Sequence, residues 1–268
     1  MAADIKRFSG SIPENYHRYM VPLLFEPYSK ELVGRVNHLQ EGPVLEIACG
    51  TGSLTRLLRQ HLPDDIQIVA TDISSEMLEL AQRELGHMSG LKLQAADAMD
   101  LPFPSASFEA VICQFGIMFL SDKRKGLTEM LRVLKPGGKA YVSTWADIAQ
   151  NEFIHVANDA IQSLDLKEPI SFTGGCKYSN ADEIKADFDA SGFRNVDLSV
   201  VTKRSEAASV ESAVDSIIHG TTLASKLDVQ GLLEIGRQAM CDKYRSAFGD
   251  DAVSGEMKAF LCEAMKPQ

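Results

Sequence analysis

Positive charge is scarce in this chain: 27 Lys and Arg stand against 37 Asp and Glu, giving a formal net charge of −10 and a pI near 5.1. Nucleic-acid-binding proteins carry a basic footprint that neutralises phosphates, so the composition excludes a polyanionic main partner. The local run Lys123-Arg124-Lys125 reads as a solvated helix start. Cysteine is also sparse. Cys49, Cys113, Cys176, Cys241 and Cys262 form no CxxC pair and no metal-ligand spacing, which predicts reduced thiols, no disulfide framework and no metal. Long apolar runs are missing too. The longest, Ala110 to Leu120, is interrupted by Gln114 and Gly116 and is too short for a bilayer, while Met1 to Phe8 is polar. A soluble, cytoplasmic protein with no membrane partner is expected. No internal repeat, Ser-His-Asp set or catalytic carboxylate pair is readable.

Hydrophobic residues make up 45% of 268 positions, ample for one α/β domain with a modest subdomain. Val44-Leu45-Glu46-Ile47-Ala48 reads as a buried strand entering the glycine turn Cys49-Gly50-Thr51-Gly52. Leu54, Leu57, Leu58 and Leu62 then repeat at helical spacing. Further strands are predicted over 66–71, 91–94, 110–114 and 139–145. Between them lie a helix capped by Ser74 with Met77, Leu80 and Ala81 inside, and another ending at Lys135-Pro136-Gly137-Gly138. This alternation specifies a doubly wound parallel sheet. Beyond Trp145 the rhythm changes: an Asn180-x-x-Glu183 cap, an alternating strand over 194–202, two amphipathic helices over 209–248, and a final strand over 257–265. Residues 1–29 read as irregular, since Pro13, Pro22 and Pro27 interrupt any long helix.

A strand, glycine turn and helix followed by Asp72 at the end of the next strand make a cofactor cradle at the carboxyl edge of the sheet. The turn discriminates between cofactors. A dinucleotide fingerprint wants a third small residue where this chain has Thr55, and Glu46 would repel a pyrophosphate. A cationic sulfonium ligand without phosphate meets neither objection, and its amino-acid carboxylate suits the helix N-terminus. Asp72 can accept from ribose hydroxyls with either cofactor. Asp97, in the loop after strand three, can accept from an adenine amino group, which tilts the reading toward the sulfonium donor.

The segments VLEIACGTG (44–52), ATDIS (70–74), ADAMDLPFPSASFEAVICQFGIMF (96–119), LRVLKPGGKAYVSTW (131–145) and DASGFRNV (189–196) resemble a class I S-adenosylmethionine-dependent methyltransferase. The likeness is to the small-molecule group that includes the ubiquinone/menaquinone-biosynthesis C-methyltransferases, with Ala48 where that family often has Gly. The resemblance implies a Rossmann-like seven-stranded sheet of order 3-2-1-4-5-7-6, strand seven antiparallel, with a helical lid. It implies S-adenosylmethionine as cofactor and S-adenosylhomocysteine as product. Glu46 with Ala48, Gly50 and Gly52 would meet the methionine moiety and Asp72 the ribose. Ile73 and Ala98 would flank the adenine, Met77 would be a further cofactor contact, Asp97 would take the adenine amine, and Gln114 with Phe115 would approach the sulfur. The arm, 1–29, would close over the site through Tyr16, Tyr19 or Tyr28; the core would run over 30–204, the lid over 205–250 and the last strand over 251–268.

The expected activity is methyl transfer by in-line displacement to a small, partly apolar acceptor at O, S, N or C. His155, His219 and Tyr178 are candidate bases, and Trp145, Phe153, Phe172, Tyr178 and His219 are candidate acceptor contacts. The Pro-Cys nucleophile of cytosine-C5 methyltransferases is missing. So is the Asn/Asp-Pro-Pro-aromatic motif of amino-methyltransferases; Gln114-Phe115-Gly116-Ile117 stands in its place. A nicotinamide-dependent oxidoreductase and a cofactor-binding protein without transfer activity are the alternatives. A homodimer is the default assembly.

Overall fold

Strand β1 (Val44–Ile47) is buried along its whole length, as a continuous apolar run covered on both faces should be. The computed structural model describes residues 12–170, 173 and 175–268. β1 pairs in parallel with β2 (Ile68–Asp72) on one side and β4 (Phe108–Gln114) on the other. β3 (Leu91–Ala95) lies outside β2, and β5 (Leu134–Trp145) outside β4. The full order is β3-β2-β1-β4-β5-β7-β6, with β7 (Val253–Met265) antiparallel to β5 and to β6 (Arg194–Ala207). This matches the expected sheet. The chain reverses its direction of travel across the sheet between β1 and β4, which opens a crevice at their carboxyl ends.

The arm departs from expectation. Its prolines do not leave it irregular: α1 (Ile12–Asn15) runs into a wide π-helical stretch, Tyr16–Phe25, and then α2 (Glu26–Val36). Pro22 sits inside the wide stretch, where the Glu26 N–H reaches back five residues to the Val21 carbonyl. An α-helical turn there would drive the proline ring into a backbone carbonyl, and the wider turn avoids that collision. Pro27 lies in the first turn of α2, where a missing N–H costs nothing. Nor are residues 12–29 of the arm a loose flap. Met20, Val21, Leu23, Leu24 and Tyr28 are core residues, and the Tyr28 hydroxyl donates to the Met257 carbonyl at 2.6 Å. Ion pairs Arg35–Glu263 and Lys203–Glu31, both 2.9 Å, tie α2 to the paired strands β6 and β7.

On the sheet faces lie α3 (Ser53–His61), α4 (Ser75–Leu85), α5 (Lys123–Val133), α6 (Glu152–Gln162) and α7 (Ala181–Ala190). Ser74 caps α4 by accepting from the Met77 N–H, and Asn180 caps α7 by accepting from Asp182 and Glu183. Between β6 and β7 come α8 (Val210–His219), α9 (Leu223–Asp228) and α10 (Leu233–Phe248), three helices where the sequence pattern suggested two. Gly220 ends α8 against the arm: a Cβ there would lie 2.1 Å from Met20 Cγ. β6 extends past residue 202 because Lys203–Ala207 pair with Val253–Met257. Among the described residues no helix is long and apolar enough to cross a membrane, and no cluster of His, Cys, Asp and Glu could hold a metal.

Candidate functional site

The turn after β1 uses the left-handed region three times, at Ala48 (φ 56°), Gly50 (φ 56°) and Gly52 (φ 83°). Its two glycines do different work. A Cβ on Gly50 would meet nothing within 4 Å, because that position faces open space. A Cβ on Gly52 would lie 2.4 Å from Leu85 Cδ1, so Gly52 lets α3 pack closely on α4. Asp72 pins the turn: Oδ2 accepts from the Gly50 N–H and Oδ1 from the Ser74 N–H, each at 2.8 Å. Burial pushes its carboxyl above the ordinary range, against the lowering effect of those N–H groups.

Glu46 lies deeper, 2% exposed, and accepts from the Thr55 hydroxyl at 2.6 Å. Burial pushes its carboxyl up to about 8, opposed by Thr55 and reinforced by the Asp72 charge. At pH 7 it is therefore mostly neutral, so charge repulsion from Glu46, expected from the sequence, is not what turns a phosphate away. A phosphate would instead meet the charges of the cavity's own lining. Asp72 and Asp97 are the charged residues among its described lining, with no Lys, Arg or His to receive a pyrophosphate.

That cavity brings together Ala48, Gly50, Asp72, Ile73, Met77, Asp97, Ala98, Gln114, Phe115 and Tyr16. Asp97 Oδ1 accepts from the Met99 N–H at 2.8 Å, and Ile73 stands 43% exposed at the rim. Gln114 Nε2 donates to Ser29 Oγ at 2.9 Å and toward the Phe25 carbonyl at 3.5 Å, which fixes the amide orientation. Its Oε1 is buried with no hydrogen-bond partner. Glu46, Gly50, Thr51, Ser53 and Gln114 line a small adjoining cavity in which Ser53 Oγ, in the first turn of α3, is likewise buried and unpartnered. Orphaned buried polar atoms lose a hydrogen bond unless a ligand supplies it. A free carbonyl oxygen and a free hydroxyl beside a helix N-terminus fit the ammonium and carboxylate of an amino acid.

A second cavity abuts the first and shares Tyr16, Phe115 and Phe119 with it. Trp145 stacks on Phe115 at 4.1 Å and 19°. Phe115 itself is held at φ 52°, with its N–H donating to the Ser143 carbonyl at 3.1 Å. A bulky residue in that region stores strain, a common mark of functional sites.

Other sequence candidates stand elsewhere. His155 pairs with Asp159 at 3.9 Å on α6, and His219 is exposed at the end of α8; neither is among the described lining of the two cavities. Tyr178 turns inward and donates to Asp187 at 3.0 Å, and Phe153 packs between Tyr244 and Phe248. Tyr19 lies exposed under Arg18, and Tyr28 packs edge-on against Phe115 and Trp145. Phe172 falls outside the described residues. Sequence reasoning missed His17, whose Nδ1 lies 2.9 Å from Thr51 Oγ1 on the glycine turn, and missed Lys177 and Lys226 in the second cavity. Their separation along the sequence hid them, and no local motif marks them.

Residues 44–138 match a family model described as a methyltransferase domain. Over 97 residues, 36% of the chain, the sequence is 41% identical to a demethylmenaquinone methyltransferase of Deinococcus radiodurans. The chain spans 40%, 48% and 56% of the lengths of three curated relatives it matches. Among solved structures, the YcgJ protein of Bacillus subtilis superposes with a TM-score of 0.58 at 20% identity, covering 90% of this chain and 99% of that one. Phosphoethanolamine N-methyltransferase 2 of Haemonchus contortus, solved with phosphomonomethylethanolamine and S-adenosylhomocysteine, gives 0.57 at 16%, covering 90% and 53%. At such identities these structures speak for the fold alone.

Proposed function

We propose that the chain, whose residues 44–138 match a methyltransferase domain, is a class I S-adenosylmethionine-dependent methyltransferase that moves the cofactor's methyl group to a small, partly apolar acceptor in the second cavity. The observation that carries this reading is the pair of adjoining cavities, one lined by the carboxylates Asp72 and Asp97, the other by aromatic and aliphatic side chains with two lysines, meeting at Tyr16, Phe115 and Phe119.

The Asp72 carboxylate accepts from the Gly50 and Ser74 N–H groups and would accept a ribose hydroxyl on its remaining lone pairs. Asp97 has an oxygen left for the adenine amine, with Ile73, Met77 and Ala98 against the ring. Gln114 Oε1 and Ser53 Oγ would complete their hydrogen bonds on the amino-acid end. The bound cofactor supplies a methyl group already activated by positive sulfur. The chain's own task is then alignment and exclusion of water by the aromatic boundary. The described lining of the second cavity contains no Asp, Glu, His or Cys. An acceptor that ionises readily, such as a phenol or thiol, suits a chamber without a carboxylate or imidazole base. The arm and the 205–250 segment together cover the acceptor side, with Met20, Leu24 and Phe25 from one and Thr221, Thr222 and Lys226 from the other.

The names of the proteins compared above point to different acceptors, a quinone precursor and a phosphorylated amine, so likeness alone does not choose one. Incubation with methyl-labelled S-adenosylmethionine and a panel of phenols, thiols, amines, carboxylates and quinols tests the proposal. Label in at least one acceptor is expected. Binding of S-adenosylhomocysteine without transfer to any acceptor would point to a cofactor-binding protein that does not transfer.

A further inference from the structure

We infer that the acceptor carries an anionic group, carboxylate or phosphate, on an apolar ring-bearing body, and that Lys177 and Lys226 receive that group. The inference rests on the methyltransferase reading above and specifies its substrate class. In a chain of net charge −10, the charged residues among the described lining of the second cavity are these two lysines. A cavity lined by one sign of charge with low-dielectric walls focuses potential on a ligand of the opposite sign.

Both lysines are placed by buried neighbours. Lys177 lies between Cys176 (7% exposed) and Tyr178 (1% exposed), which turn inward and leave the intervening side chain on the cavity face. Lys226 rides on α9, anchored by the fully buried Leu223 and Leu227. Two segments far apart in sequence thus bring two exposed lysines to the wall of one chamber, beside the hydroxyl-bearing Thr173 and Thr222.

The chamber is also polarised. Neither lysine and neither threonine lines the cofactor cavity, whereas the shared boundary is made of the rings of Tyr16, Phe115 and Phe119. The remaining walls are apolar, with Met20, Leu24, Phe25, Trp145 and Ile154 among them. An acceptor so held presents its ring at the boundary, where the methyl arrives, and its anion to the lid-side lysines. Rings stack favourably on such aromatic walls, and lysine binds carboxylate and phosphate as a point charge.

Calorimetry with saturating S-adenosylhomocysteine tests this, using the matched probes benzoate and benzamide, cinnamate and cinnamamide, 1-naphthoate and 1-naphthamide, with phenyl phosphate as the phosphate arm. At least one anion is expected to bind about tenfold or more tightly than its neutral partner, and the better of the carboxylate and phosphate arms identifies the group. In the Lys177→Met/Lys226→Met double variant that preference should shrink to about threefold or less, with S-adenosylhomocysteine affinity unchanged as proof of an intact fold. Amides binding as well as acids, no probe binding at all, or a preference that survives the double substitution would overturn the inference while leaving the methyltransferase reading intact. Failure of S-adenosylhomocysteine itself to bind would instead remove the reading on which it stands.

Discussion

Ala48 shows how tightly single atoms are placed around the cofactor turn. It occupies a left-handed conformation that costs an alanine roughly 1–2 kcal/mol, and its Cβ lies where a Cβ on Gly116 would approach to 2.4 Å. Gly116→Ala should destabilise the protein by about 1–3 kcal/mol in denaturant unfolding, and adding Ala48→Gly should restore most of the loss. Additive effects of the two substitutions would contradict this packing. Glu46 makes a second residue-scale prediction. Its carboxyl moves from 4.5 in the ordinary state to about 8 when folded, so between those values the native state holds a proton that the unfolded chain has released. Its contribution to stability is complete below the lower value and is lost as pH rises through the upper one. Wild-type stability should therefore fall more steeply between about pH 5 and about pH 8 than that of Glu46→Gln, by up to roughly 1.4 kcal/mol per pH unit. Equal slopes would count against a buried neutral Glu46.

At the scale of elements, the N-terminal arm is part of the core and also part of both cavities. Tyr28→Phe leaves the Met257 carbonyl without its donor and should cost about 1–3 kcal/mol by thermal or denaturant unfolding. Deleting the arm through residue 29 should lower stability as well as activity, because Met20, Leu23, Leu24 and Tyr28 go with it. A truncated chain as stable as the parent would contradict that placement. This element was the least legible in the sequence. Prolines at 13, 22 and 27 read as breakers, and nothing local announces a ten-residue wide helix that accepts Pro22. By contrast, β1, its glycine turn and α3 could be read residue by residue. Strand-to-turn-to-helix chemistry is encoded locally, by Val44 to Ile47, Gly50 and the leucines that follow.

Over the whole molecule, the sheet order was an expectation from resemblance, and periodicity alone gave only alternating strands and helices. The cofactor side was legible because its residues sit at strand ends, where a strand's last residue must face the crevice: Asp72, Asp97 just after β3, and Gln114. The acceptor side was legible only at Trp145. Its lining comes from the arm, β5, α6, α9 and the loops between elements, and which of Lys177 and Tyr178 faces the cavity depends on packing that no local pattern records. The central claim is that the crevice beside β1 takes a phosphate-free adenosine donor on Asp72. Calorimetric titration of the protein and of Asp72→Ala with S-adenosylhomocysteine, and in parallel with NADH, tests it most directly. One saturable site per chain for S-adenosylhomocysteine, weakened about tenfold or more in Asp72→Ala, with no binding of NADH, is the expected result. Saturable NADH binding in place of S-adenosylhomocysteine, or an affinity indifferent to the loss of Asp72, would contradict it.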